Sequence, residues 1–158
     1  MLAQLSGFAT NPTSIKLISS DEKSTVVQLQ LTDNYTLHPV ETSKGTAYTL
    51  SVPNATPILK AGAPDLAKIT TSVIIPNQYG TNLEVINSDY TDFANINIAP
   101  SKGNLSRNIN PANVPFTYSS SYQKNEFFPS KLADTRQPYI LRDYRAQTIV
   151  LYPFQYNP

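Results

Sequence analysis

The chain has no cysteine and no tryptophan, a single histidine, and only five glycines in 158 residues. Without cysteine it has no disulfide, no thiolate nucleophile and no zinc–thiolate site, while the compartment stays open, since a secreted protein can do without disulfides. No glycine-rich phosphate loop is present. No run of about 18 apolar residues occurs, so no segment reads as a membrane-spanning helix. Charge of one sign is lacking too: twelve basic residues face eleven acidic ones, for a formal charge of +1. No Lys/Arg cluster offsets that balance, which argues against a nucleic-acid surface. His38 precedes Pro39 with no acid motif around it. A catalytic triad needs a nucleophile and an orienting group beside the ring, so His38 reads as structural.

What is present suffices for one core. The chain is 40% hydrophobic and 10% aromatic, enough for a single domain over residues 1–158. The opening MLAQLSGF is apolar but lacks a charged start and is too short for a signal peptide. Elsewhere the hydrophobic period is two. In residues 25–31, Val27, Leu29 and Leu31 alternate with Gln28 and Gln30, the pattern of a strand with one wet face. Residues 14–20, 46–53, 68–75, 83–87, 93–98, 139–142 and 147–156 read as further strands, and Ser43-Lys44-Gly45 as a hairpin turn.

Thirteen prolines leave few windows for a helix, so only single turns are expected, at 65–68 and 124–128. Short strands spaced by Pro, Asn, Gly and Ser indicate an all-β fold, an antiparallel sandwich or jelly roll with almost no helix. The stretch from residue 99 to about 137 lacks a clear strand. Its first part, APSKGNLSRNINP, carries prolines, Gly103 and three asparagines, and reads as a long protruding loop with Arg107 near its tip. A loop of that length in a compact domain is expected to be functional or partly mobile.

Chemistry-bearing clusters are few. Asn87, Asp89 and Asp92 lack the glycine and the terminal glutamate of a calcium loop, so no metal or cofactor is expected. Asn34, Asn54 and Asn104 match a glycosylation pattern that often arises by chance. Tyr118, Tyr122, Phe127 and Phe128 offer either a sugar-stacking platform or, more simply, packing that ties the long segment to the core.

Several segments in order carry a resemblance: VETSKGTA, TPILKAGAPDLAKITTSVIIP, APSKGNLSRNINPANVPFTY, SYQKNEFFP, PYILRDYRAQ and PFQYNP. Together they resemble the propeptides of gingipain-type cysteine peptidases, the arginine-specific members above all. Ala67 and Ala146 depart from that pattern, which favours proline and glycine at those places. The resemblance implies a secreted precursor fragment, bound for the periplasm or outer-membrane surface of a Gram-negative bacterium and without catalytic residues of its own. It also implies truncation at the C-terminal end, which would bare a sheet edge and permit a non-native dimer. The implied partner is the catalytic domain of the cognate peptidase, and the implied role is inhibition and folding assistance with Arg107 in the primary specificity pocket. Ser106, Asn108 and Lys102 would flank that anchor. Arg142, Asp143 and Arg145 sit in a strand-like run and are expected to support the loop or to form an ion pair. The alternative is a non-catalytic β-sandwich module for a carbohydrate or cell-surface partner. That reading requires an open tyrosine face, whereas the propeptide reading requires an exposed Arg107.

Overall fold

The computed structural model describes residues 13–31, 35–78 and 80–158. The reading of the first eight residues and the Asn34 glycosylation pattern lie outside them. The architecture is all-β and antiparallel, and among the described residues no helix exceeds a 3₁₀ turn. Two hairpins come first. β1 (Ser14–Ser20) pairs with β2 (Thr25–Gln30), with the register shifting between Leu17 and Ser19. β3 (Thr36–Thr42) pairs with β4 (Gly45–Ser51), turning at Ser43 and Lys44 as expected. Gly45 takes φ +97° there, a conformation that only glycine adopts without strain.

A larger sheet follows. β5 (Thr56–Pro57) pairs with β6 (Ala67–Ile74), and β6 pairs along its length with β9 (Tyr144–Leu151). The far edge of β9 is shared by β7 (Ala133–Thr135) and β8 (Tyr139–Leu141). β9 is therefore central, and its sequence shows why. Ala146, Gln147, Ile149 and Val150 are all buried, so the strand is covered on both faces and reads as a near-continuous run instead of an alternation. The buried Gln147 is satisfied: its Oε1 accepts from the Thr81 hydroxyl, and its Nε2 donates to Arg136 O at 2.9 Å. A buried amide without such partners would destabilise the strand.

Two expected strands do not form. Residues 83–87 and 93–98 run without a ladder, and Val85, Ile86, Tyr90 and Phe93 stay exposed. Only Ile98 bridges, to Tyr48. Alternation marks a segment that is able to pair, but pairing also needs a partner edge in reach. The 3₁₀ turns also lie elsewhere than expected, at Pro111–Asn113 and Ser120–Gln123. Each is set by its cap: Asn110 Oδ1 accepts from Ala112 N with proline following, and Ser119 Oγ accepts from Ser121 N.

Ile149 is 7% exposed in the middle of β9. Ile149→Ala is expected to cost about 2–5 kcal/mol in urea unfolding, because the surrounding sheet cannot collapse into the void. The same change at Ile140, 68% exposed on β8, should lie within about 0.5 kcal/mol of wild type.

Candidate functional site

The candidate site is the 101–110 loop, and its base is the most deeply buried part of the described residues. Ala63, Pro64, Ala99 and Pro100 have essentially no exposed surface. Pro64 and Pro100 face each other as an antiparallel bridge, flanked by Asp65 N to Ala99 O (2.9 Å) and Ser101 N to Ala63 O (2.7 Å). In such a pair the facing residues exchange no hydrogen bond, so two prolines sit opposite each other without leaving a carbonyl unanswered. Gly62 N donates to Ser101 O (2.8 Å), and on the other side Ala99 N donates to Tyr48 O (2.8 Å).

Burial perturbs the carboxyl next to this base. Desolvation raises the pKa of Asp65, partly offset by its hydrogen bond with the Ser101 side chain. Above the base lies a narrow neck. Gly103 has φ +78°, and a Cβ there would stand 2.9 Å from the Ala61 Cβ, so both its conformation and its surroundings demand glycine. Lys102 Nζ reaches across the neck to Pro111 O at 2.7 Å and lies 4.2 Å from the centroid of the Phe116 ring.

At the tip the chain folds back on itself. Ile109 N donates to Ser106 O (3.0 Å), which makes Arg107 and Asn108 the central residues of a β-turn. Both are exposed. Among the described residues the Arg107 guanidinium has no hydrogen-bond or ion-pair partner, and the Ser106 and Asn108 side chains have none either.

The segment after the loop is tied to the core by tyrosines. Tyr118 and Tyr122 pack edge-to-face, 4.7 Å apart, and Tyr156 lies 6.0 Å beyond Tyr122. The hydroxyls are engaged: Tyr122 donates to Ile98 O (2.8 Å) and Tyr118 shares a bond with Thr42 Oγ1 (2.7 Å). Burial raises the Tyr122 and Tyr156 phenols, so both stay protonated donors or acceptors. Crossed rings with occupied hydroxyls make no flat sugar platform. Phe127, the exposed member of the expected group, is on the wall of an open cleft of about 430 Å³ with Phe128, Lys60 and Lys131.

The remaining predicted residues are dispersed. Arg142 and Asp143, expected on opposite faces of a strand, instead form the two-residue turn between β8 and β9, where Arg142 takes φ +54°. Leu141 and Tyr144 already close the ladder there, so the charged pair falls outside it. Arg145 follows in β9 and donates Nη1 to Pro76 O at 2.8 Å. His38 is exposed on β3, and Asn87, Asp89 and Asp92 lie on exposed irregular chain. Asn54 and Asn104 are exposed as well. Gly62, which the sequence did not single out, is as constrained as Gly103: it has φ +75° and a Cβ there would lie 3.1 Å from Ser119 Cβ.

Two outcomes test this geometry. Gly103→Ala is expected to cost about 1–3 kcal/mol in chemical denaturation, more than Gly45→Ala, where nothing lies within 4 Å of the added methyl. For Asp65 the native state holds the proton more tightly than the unfolded chain, whose carboxyl keeps its ordinary value of 3.8. Its contribution to stability is therefore complete below pH 3.8 and is lost as pH rises through the raised value. Asp65→Asn should flatten that decline in a plot of urea midpoint against pH.

Comparison with known proteins follows the same line. The profile of the C25 propeptide family, Propeptide_C25, matches residues 4–158. Gingipain R1 of Porphyromonas gingivalis is 35% identical over 157 residues, which is 99% of this chain and 16% of that protein. Gingipain R2 of the same organism is 35% identical over 144 residues, 91% of this chain and 19% of that protein. The chain thus spans less than a fifth of these relatives' length. The solved complex of P. gingivalis RgpB pro- and mature domains superposes with a TM-score of 0.87 at 35% identity, covering 91% of this chain and 75% of that one. A structure addressing zymogenic latency of gingipain K from P. gingivalis shares the fold, with a TM-score of 0.70 at 20% identity over 95% of this chain and 85% of that one. The chain belongs to the C25 propeptide family: it is a gingipain-type pro-domain, and not itself a peptidase.

Proposed function

We propose that this pro-domain keeps an arginine-specific, gingipain-type cysteine peptidase latent, and assists its folding, by placing Arg107 in the primary specificity pocket of the catalytic domain. The observation that carries this reading is an exposed guanidinium without a hydrogen-bond or ion-pair partner among the described residues, held at the tip of a loop whose base, Ala99 and Pro100, is fully buried. A guanidinium presents a planar fork of donors that pairs bidentately with a pocket carboxylate, which a lysine ammonium cannot reproduce. A fixed base means that little chain entropy is lost when the loop docks. Ser106 and Asn108 flank the anchor and line the contact with the cleft. The chain is then part of a secreted precursor whose partner is the catalytic domain.

The turn at the tip explains why such a loop inhibits instead of being consumed. The Arg107–Asn108 bond lies in the middle of the Ser106–Ile109 turn, whereas a cut bond has to reach near-attack geometry with the nucleophile in line. Cleavage there is slow and is a step in maturation.

The test is inhibition of an arginine-specific gingipain-type catalytic domain by the chain and by Arg107→Ala. Loss of a desolvated charge pair is expected to weaken inhibition by about a hundredfold or more, with Arg107→Lys between the two. Thermal unfolding should be unchanged, because Arg107 is exposed and makes no hydrogen bond or ion pair among the described residues. Undiminished inhibition by Arg107→Ala would sink the proposal.

A further inference from the structure

We infer that Lys102 is a positioning residue that closes the neck of the Arg107 loop, and that this clasp sets how slowly the Arg107–Asn108 bond is cut. Its bearing on inhibition rests on the reading of Arg107 given above; its effect on the loop does not.

The loop needs a clasp because its two ends are held unequally. The incoming end is fixed by backbone pairing up to Ser101, and by the fit of Gly103 against Ala61. The outgoing end, residues 110–116, has no ladder: it consists of a capped 3₁₀ turn and then exposed or half-buried chain around Val114 and Phe116. Lys102 joins the two. Its ammonium donates to Pro111 O at 2.7 Å, nine residues away, while lying 4.2 Å from the Phe116 ring centroid. One cation therefore holds a carbonyl and a ring face on the outgoing chain, shortening the free span to the residues around the turn. The contact also gives the loop's other cation a partner within the loop, whereas Arg107 at the tip has none among the described residues.

Hydrolysis at the tip breaks the bond between the Arg107 carbonyl carbon and the Asn108 nitrogen. The hydroxyl of water ends on the new Arg107 carboxyl group and its proton on the new amine. To be cut, the bond has to leave the Ser106–Ile109 turn and extend into a cleft. A loop pinned at residues 102 and 111 has little slack for that change, and a loop pinned only at Ser101 has more. Cleavage that proceeds through a transiently opened form follows the population of that form.

The experiment compares the wild-type chain with Lys102→Met, which keeps the length and apolar stem but cannot donate, and Lys102→Arg, which keeps both donor and cation. Trypsin at low concentration is the probe, and mass spectrometry reads the fragment that begins at Asn108. Cleavage after Lys68, inside β6, is the internal reference. Global destabilisation accelerates both cuts, whereas opening of the neck accelerates only the one at Arg107. Lys102→Met is expected to raise the ratio of the two rates by about tenfold, and Lys102→Arg to keep it within about twofold of wild type. An unchanged ratio in Lys102→Met overturns the inference. In parallel, against an arginine-specific gingipain-type catalytic domain, Lys102→Met should weaken inhibition and hasten its own cleavage. If Arg107→Ala inhibits as well as wild type, the reading of the anchor fails, and the trypsin ratio still decides the clasp.

Discussion

The structure depends on one short pairing, residues 62–65 against 99–101, in which Pro64 faces Pro100 with neither side chain exposed. It is the place where separate parts of the fold are joined. On one side it hydrogen-bonds to Tyr48 of β4, and on the other it leads through Leu66 into β6 and the large sheet. Gly62 O also receives Ser119 N at 2.9 Å, which draws in the segment after the loop. Neither small hairpin could bury a core by itself, since two strands alone are marginal in water. The proline pair, the alanines beside it and the tyrosines above supply the common interior.

Stability and exposure are therefore arranged as a gradient along a few residues. Ala99 and Pro100 are fully buried, Lys102 is half covered, and Arg107 is exposed. Where an anchor has to enter another protein's pocket, such a gradient keeps the moving part small and the reference frame fixed. The tyrosine cluster has the same effect from the opposite side. Tyr122 donates to Ile98 O immediately before the base, and Tyr156 exchanges both backbone bonds with Phe128, so the C-terminal segment holds in place the residues that hold the loop. The aromatic pairs of Tyr35 with Phe93 and Phe154 extend that support to the start of β3.

Much of this was legible in the sequence, and the failures have physical causes. Alternation found β1, β2, β4 and β8 nearly to the residue, and β-branched content found β6. Alternation set no bounds for β3, since His38-Pro39 interrupts the pattern, although the Ser43-Lys44-Gly45 turn called for a strand before it and Pro39 faces Tyr48 in the ladder. It missed β5 and β7 because two or three residues hold no period. It gave strands at 83–87 and 93–98, since a sequence shows a segment's ability to pair and not whether an edge lies beside it. At the site, loop chemistry showed where Arg107 would be displayed. Lys102 was read as a flank of the anchor, and the order of residues does not reveal that Pro111 O and Phe116 also lie within its reach. Arg142 and Asp143 were read as part of a strand-like run, and nothing in the order of residues marks them as the tight turn that Leu141 and Tyr144 close.

The chain crosses itself in a way that bears on what a cut in the loop would do. β6 lies before residue 107 and β9 after it, and they pair from Ile69 with Leu151 to Ile74 with Ala146. β4 and the 62–65 segment precede the loop as well, while Tyr118, Tyr122 and Tyr156 follow it. A break between Arg107 and Asn108 thus yields two polypeptides interleaved through the central sheet, the tyrosine cluster and the Gly62–Ser119 bond. Such a nick changes the covalent topology and leaves the body whole: the two pieces part only when the sheet between them unfolds.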